Sequence, residues 1–174
     1  KRQIKKYYPH LKIKKVAFAD PIKQEIMRIY NLTTEEEYDQ FKRTTIVFHL
    51  NGSYREVEGR QIVRETGMLM RSYDQDQFTR YVDQTIASDP EAVWFITDVR
   101  FDNELEHREI HDYPLIKIKR PAVEQDGHIT EVEFPNEICD YIVTNEHMLL
   151  FEEDACRVFE QIVNNYKSRG ETCQ

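Results

Sequence analysis

Apolar and polar positions alternate along this chain in short blocks, and one block stands out. Residues 92–101 open with an unbroken run of apolar and β-branched side chains that is too short for a core helix. Asp89 and Pro90 precede the run, and a polar cluster follows it. This pattern predicts a strand that is buried on both faces, as strands are in parallel sheets covered by helices. A helix is expected to begin directly after it.

The other blocks predict a succession of strands and helices. Asn51 and Gly52 separate two short β-rich runs, residues 45–50 and 53–57, and this dipeptide is a strong signal for a tight hairpin turn. Further strands are predicted at residues 11–18, 114–119 and 140–144. Helices are predicted at residues 21–30, from 33 onward, at 59–72, 74–86, 103–111 and 148–167, and residues 1–8 are typical of the end of a basic helix.

Residues 59–72 carry two stripes when they are arranged as a helix. One stripe is apolar and is expected to face the core; it contains Ile62, Val63, Thr66, Leu69 and Met70. The other stripe contains Arg60, Arg64, Gly67 and Arg71, which are spaced four, three and four apart.

Three arginines on one helical stripe repel each other unless an anion lies among them. Arginine suits phosphate because its planar fork donates two hydrogen bonds and does not lose its charge. Gly67 leaves space for a ligand to approach the backbone. The stripe therefore predicts a phosphate cradle, while a solvated basic face paired with acids elsewhere is the alternative.

Two predicted strands end in an aspartate. Asp98 follows the apolar run with Arg100 two residues beyond it, and Asp20 follows the first strand. Open α/β sheets bind ligands beyond the carboxyl ends of their strands, and an acid beside an arginine suits a site for a metal ion and phosphate together. Either aspartate could instead serve only as the N-cap of the following helix. Glu104 is expected in the first helical turn after Asp98, facing the strand end.

Composition limits the partners. The chain has 174 residues, 40% of them hydrophobic, which is enough for one sizeable core and favours a single domain. A net charge of −8 argues against a nucleic-acid polymer held by its phosphates, and no apolar run reaches the length of a membrane span. Three cysteines without the spacing of a metal site or a disulfide framework indicate a reducing cytoplasm.

The segment between the predicted strands at residues 114–119 and 140–144 has the composition of a lid. Residues 122–137 are polar and contain a turn at Asp126 and Gly127. Because the segment joins two strands whose ends face the expected crevice, it is predicted to be mobile. Arg120 stands at its hinge, so that the whole lid spans residues 120–137.

Several motifs occur in one order along the chain. They are a strand ending in Asp20, the arginine-bearing helix, Asp98-x-Arg100-x-x-x-Glu104, a strand ending in Arg120-Pro121, His128-x-Thr130-Glu131, and Asp140-x-x-Val143-x-Asn145. In this order they resemble the deoxynucleoside monophosphate kinases of tailed phages, a branch of the P-loop nucleotide kinases, over residues 16–162. The resemblance implies one α/β domain, residues 1–174, with a P-loop-kinase-like parallel sheet flanked by helices, an inserted β-hairpin and a lid segment.

The resemblance also implies an activity, the transfer of the γ-phosphoryl group of ATP to a deoxynucleoside 5′-monophosphate with Mg²⁺. The catalytic residues are then expected to be Asp98, Arg100, Arg60 and Arg120, with Asp98 holding Mg²⁺ through water. The substrate-binding residues are expected to be Phe18, Asp20, Arg64, Gly67, Met68, Arg71, Phe78, Glu104, His128, Thr130 and Glu131. The expected partners are the two nucleotides in the cytoplasm, which is the host's if a phage encodes the chain, and a homodimer is left open.

The family's phosphate-binding loop, Gly-x-x-x-x-Gly-Lys-Ser/Thr, does not occur in these 174 residues. In the family this loop follows the first strand of the sheet and leads into a helix whose end residues 1–8 resemble. A strand and a loop upstream of Lys1, or supplied by another chain, are therefore expected. The alternative function is a nucleotide-binding or sensing protein of the same fold without catalysis.

Overall fold

The structure is a computed structural model that describes residues 4, 6, 8–119, 134–146 and 148–168. Across these ranges the chain is a mixed α/β protein with six α-helices and six β-strands, as the sequence predicts. The chain groups into two compact units. Residues 16–85 form the internal unit, and residues 1–15 together with 86–174 form the terminal unit.

The internal unit contains four helices and a hairpin. It begins with the last two residues of β1 (Ile13–Ala17) and continues with α1 (Asp20–Ile29), α2 (Glu35–Phe41), β2 (Thr45–Leu50), β3 (Ser53–Glu58), α3 (Gly59–Tyr73) and α4 (Gln77–Ala87). Its buried apolar side chains are Val16, Ala17, Phe18, Ile22, Ile26, Tyr38, Phe41, Val57, Phe78 and Val82.

The hairpin forms where the Asn-Gly dipeptide predicts it. β2 and β3 pair antiparallel with Leu50 opposite Ser53, and Asn51 (φ 50°) and Gly52 (φ 78°) form the turn. Both turn residues have the positive φ that matches the twist of the two strands. The predicted hairpin is therefore confirmed, and β3 leads directly into α3.

Two glycines set the position of α3. A Cβ on Gly59 would lie 2.0 Å from the carbonyl oxygen of Phe41, and a Cβ on Gly67 would lie 2.7 Å from Cδ1 of Ile22. The buried residues of α3 are these two glycines, whereas Leu69 of the predicted core stripe is 57% exposed. The predicted core position of Leu69 is wrong because α3 turns its glycine-bearing stripe, which has no Cβ at the contact, toward α1.

The terminal unit contains the remaining strands and two helices. It comprises the first residues of β1, then β4 (Val93–Thr97), α5 (Asp102–Ile110), β5 (Ile116–Lys119), a 3₁₀ turn (Asn136–Ile138), β6 (Tyr141–Thr144) and α6 (Met148–Ser168). β5 and β6 are parallel. The apolar stripe of α6 contributes Phe159 and Val163 to a buried cluster with Ile4 and Ile13, as predicted. None of the helices in the described ranges is long and apolar enough to cross a lipid bilayer.

β4 is less enclosed than predicted. The sequence predicts burial on both faces, but each residue of Val93–Thr97 is only half-buried. In the part of the chain that the structure describes, β4 has β1 as its one strand neighbour, and each sheet has two strands. A strand with one neighbour keeps more contact with solvent than a central strand. The apolar run thus identifies a strand without revealing how many strands surround it.

Asp89 holds the segment that leads into β4. Its carboxylate forms ion pairs with Lys12 (2.7 Å) and Lys14, and its backbone oxygen accepts a hydrogen bond from Nε1 of Trp94 at 3.1 Å. The hydrogen bonds from Lys12 and Lys14 lower the pKa of Asp89. The carboxylate therefore adds stability above its unfolded pKa of about 3.9, and this stability is lost as the pH falls through the lower folded pKa.

Asp89→Asn is expected to lower the free energy of unfolding near pH 7, because the charge that pairs with both lysines is removed. The difference from the wild type should shrink as the pH falls from the unfolded pKa of about 3.9 through the lower folded pKa, where the folded wild-type carboxylate becomes protonated as well. Urea unfolding near pH 7 and near pH 3 measures both differences, with the exposed neighbour Glu91→Gln as control. An equal difference at both pH values would show that the charge of Asp89 does not stabilise the fold.

Candidate functional site

Arg60, Arg64 and Arg71 lie on one side of α3, and together they form what we call the arginine stripe. Arg60 is exposed in the first turn of α3, where its backbone N–H donates to the carbonyl oxygen of Lys42 at 3.1 Å. Arg64 and Arg71 are half-buried. Met68 lies next to the stripe and is 43% exposed. Among the residues of α3 that were predicted to contact the substrate, its side chain is the most exposed.

Gly67 lies within the arginine stripe, but its open side is occupied by a side chain. Ile22, in the first turn of α1, packs against it. This placement favours helix packing over direct ligand contact as the role of Gly67. Its consequence is that the first turn of α1 lies beside the arginine stripe. This turn contains the carboxylate of Asp20, which offsets the partial positive charge of the helix N-terminus, and Pro21, which has no N–H to donate. The arginines are therefore the main source of positive charge here.

Phe78 holds the guanidinium of Arg71. The guanidinium carbon lies 4.3 Å from the centroid of the Phe78 ring, which is within the range of a cation–π contact. Phe78 lies in the first turn of α4 and is fully buried, so its ring is a platform for Arg71 and not a surface open to a ligand. The sequence placed Phe78 among the substrate-binding residues, whereas its contacts favour the positioning of Arg71. The sequence did contain an indication of this role, because the apolar spacing of α4 places Phe78 on the side that faces the core.

Phe18 and Asp20 lie at the turn between β1 and α1. Phe18 is 2% exposed, so its ring packs in the interior and does not face solvent. The N-cap of α1 is Ala19, so the alternative that Asp20 is the cap is wrong. The carboxylate of Asp20 instead accepts a hydrogen bond from the backbone N–H of Ala17 at 2.8 Å. Asp20 thereby closes the strand-to-helix turn and fixes where α1 begins.

Asp98 follows β4 directly in the terminal unit, with a φ of 64°. This left-handed conformation costs an ordinary residue about 1–2 kcal/mol, and aspartate and asparagine tolerate it best. The N-cap of α5 is Phe101, so the alternative that Asp98 caps this helix is wrong. A carboxylate held in a strained conformation at the end of a strand is a candidate for chemistry.

Glu104 fixes the loop that carries Asp98 and Arg100. Its side chain is fully buried, and Oε2 accepts hydrogen bonds from the backbone N–H groups of Arg100 (2.7 Å) and Phe101 (3.2 Å). It lies in the first turn of α5, as predicted, and its carboxylate contacts the loop that follows β4. Its burial favours positioning of the loop over direct contact with a substrate. Arg100 itself is exposed.

The side chain of Asp98 fits a Mg²⁺ ligand. Mg²⁺ prefers oxygen ligands, keeps several waters and is held in phosphate-transferring sites through one or two carboxylates. Asp98 supplies a half-buried carboxylate at the end of a strand, and Arg100 adds a positive charge two residues away. This pairing suits the joint binding of a metal ion and a phosphate group.

Four predicted site residues lie outside the described residues: Arg120, His128, Thr130 and Glu131. Most of the predicted lid, residues 120–137, lies there as well. At its described end, the carbonyl oxygen of Phe134 accepts a hydrogen bond from Nζ of Lys117 at 2.6 Å. The lid and its hinge remain predictions from the sequence.

A cavity of about 250 Å³ lies between the hairpin and α3. It is lined by Phe48, Arg55, Val57, Ile62 and Glu65. At about 100° per residue, Ile62 and Glu65 lie on the side of α3 away from the arginine stripe. The sequence did not predict this cavity, because it depends on the angle between the hairpin and α3. Its position separates it from the candidate phosphate-binding side.

No protein-family model matches the chain, and a comparison with curated proteins finds no significant match. The resemblance to the phage kinases therefore stays an expectation from the order of motifs in the sequence.

Proposed function

We propose that the protein is a phosphotransferase of the P-loop nucleotide kinase fold, which moves the γ-phosphoryl group of ATP to a deoxynucleoside 5′-monophosphate with Mg²⁺. The observation that carries the proposal is the arginine stripe of α3, in which the guanidinium of Arg71 lies over the buried ring of Phe78. Guanidinium groups bind phosphate through charge-assisted hydrogen bonds. Three of them on one side of a helix in the internal unit support binding of a nucleotide monophosphate there.

The arginine stripe would bind the phosphate of the acceptor. Arg71 is already oriented by the buried ring of Phe78, so it loses little conformational freedom when it binds an anion. Arg64, one helical turn before Gly67, would donate hydrogen bonds to the same phosphate from the same side of α3. Arg60 is the most exposed of the three and would also bind the acceptor phosphate, besides neutralising charge on the group in transfer.

Asp98 would hold Mg²⁺ through its water shell, and the ion would offset charge that develops on the phosphate oxygens. Glu104 keeps the loop of Asp98 in place through its hydrogen bonds to the backbone of Arg100 and Phe101. Phosphoryl transfer of this kind needs positioning and electrostatic stabilisation, and no covalent intermediate. Arginine and carboxylate side chains are the residue types that such a transfer uses.

Arg64→Ala and Arg60→Ala are each expected to raise KM for the monophosphate about 10- to 150-fold, the effect of losing about 1.5–3 kcal/mol of charge-assisted hydrogen bonding. Steady-state transfer assays measure the change. Arg28→Ala is the matched control, because Arg28 is an exposed arginine of the internal unit that pairs with Glu25. Unchanged KM values in both stripe variants would reduce the stripe to a solvated basic face.

A nucleotide-binding protein of the same fold without catalysis would give the same loss of binding in these variants but no turnover in the wild type. Measuring the dissociation constant of the monophosphate beside turnover distinguishes the two functions.

A further inference from the structure

His107 and His111 stand one helical turn apart at the C-terminal end of α5. The backbone N–H of His111 donates to the backbone carbonyl oxygen of His107 at 3.3 Å, so a hydrogen bond completes the last turn of the helix. The two ring centroids are 4.6 Å apart, and the ring planes are tilted by 51°. His107 is buried and His111 is exposed, so one ring is enclosed while the other reaches solvent.

This separation matches that of two imidazoles bound to one metal ion. With a metal–nitrogen bond of about 2.0–2.1 Å, each ring centroid lies about 3.2 Å from the ion. For bond angles of about 90–110°, the centroids are then about 4.5–5.2 Å apart. The observed 4.6 Å falls within this range, and the candidate ligand atoms of the two rings lie within 4.8 Å of each other.

The neighbouring groups favour a cation at this position. The last turn of a helix presents carbonyl oxygens and a partial negative charge. Arg108, the adjacent cation, forms an ion pair with Asp140, which offsets its charge. Tyr113 stacks on the His111 ring, with centroids 5.2 Å apart and planes 12° apart. The exposed imidazole is therefore held in place before any ion binds.

We propose that His107 and His111 chelate a divalent transition-metal ion of the Zn²⁺, Co²⁺ or Ni²⁺ type, with water completing its coordination. Neutral imidazole nitrogen is a preferred ligand for these ions, whereas Mg²⁺ prefers oxygen. The site thus differs in chemistry from the Mg²⁺ position at Asp98, and it does not depend on the proposed phosphoryl transfer. A bound ion joins the two rings across the last turn of α5 and stabilises the folded protein.

The test is to titrate Zn²⁺ and Co²⁺ into the protein, with calorimetry for affinity and Co²⁺ absorption for nitrogen ligation. His111→Ala is the principal variant because His111 is exposed and its removal should not disturb the core. His107→Gln is the second variant, since glutamine keeps a polar side chain at this buried position. His10→Ala, at an exposed histidine elsewhere in the chain, is the control. His111→Ala and His107→Gln should each weaken the tightest site at least about tenfold, and His10→Ala should leave it unchanged. Zn²⁺ should raise Tm in the wild type but not in His111→Ala.

Equal affinity in His111→Ala and the wild type would overturn the proposal, since ions would then bind elsewhere and the two rings would only pack. Absence of Zn²⁺ and Co²⁺ binding by the wild type would overturn it as well. If circular dichroism shows that His107→Gln does not fold, His111→Ala decides the outcome alone.

Discussion

Replacing Asp98 with asparagine is expected to abolish phosphoryl transfer, a loss of at least about a hundredfold in kcat, while binding of the monophosphate stays within a few-fold. Asparagine tolerates the left-handed conformation that Asp98 adopts, so the backbone should keep its φ of 64°. The variant removes the negative charge that would hold Mg²⁺ and keeps the size of the side chain. A loss of turnover in a variant of unchanged stability can then be assigned to the carboxylate.

Three measurements on Asp98→Asn separate these effects: turnover at saturating Mg²⁺, the dissociation constant of the monophosphate, and the free energy of unfolding. Asp102→Asn is the matched control, because Asp102 is an exposed carboxylate in the first turn of α5, close to Asp98 in sequence. Unchanged turnover in Asp98→Asn would remove the metal-holding role from this residue. A large loss of stability would instead assign it a structural role.

Gly59→Ala is expected to destabilise the protein by about 3 kcal/mol or more, the upper end of the range for overpacking. The added Cβ would lie 2.0 Å from the carbonyl oxygen and 2.8 Å from the carbonyl carbon of Phe41. Both are backbone atoms and cannot rotate away. The backbone N–H groups of Gly59 and Arg60 also bond to the carbonyl oxygens of Thr44 (2.9 Å) and Lys42 (3.1 Å), so moving α3 would break these hydrogen bonds.

Gly67→Ala is the matched comparison for this prediction. Its Cβ would lie 2.7 Å from Cδ1 of Ile22, the flexible end of a side chain that can move. Its cost should therefore be smaller, about 1 kcal/mol. Urea unfolding of both variants gives the two values. An equal or larger cost at Gly67 would contradict the close backbone approach at Gly59.

Elements whose cause is local were predictable from the sequence. The hairpin depends on the φ preferences of Asn51 and Gly52, which act within the turn itself. The start of α2 is likewise local, since Thr34 accepts from the N–H of Glu37 and the carboxylate of Glu37 accepts from the N–H of Thr34, each at 3.1 Å. The strand that precedes Asp98 was predicted because its apolar run is continuous.

Features that depend on what lies opposite a residue were not predictable. The periodicity of α3 predicts an apolar stripe and an arginine-bearing stripe, but it does not show which of them meets a neighbouring helix. The packing of Ile22 against Gly67 shows that the arginine-bearing stripe does. The role of Phe78 depends on the ring position relative to Arg71. The proposed metal-binding pair of His107 and His111 could not be identified from the sequence, because histidines four residues apart are common in helices. Only the geometry of the two rings distinguishes a chelating pair.

The most direct test of the proposed function is an assay of phosphoryl transfer with the protein produced from its full reading frame. ATP, Mg²⁺ and each deoxynucleoside 5′-monophosphate in turn are incubated with it, and ³¹P NMR follows the products. The proposal predicts that at least one monophosphate is converted to its diphosphate with an equal amount of ADP, and that the reaction stops when Mg²⁺ is chelated. Monophosphate binding without any diphosphate product would contradict the enzyme and leave a nucleotide-binding protein. Neither binding nor product would contradict both functions.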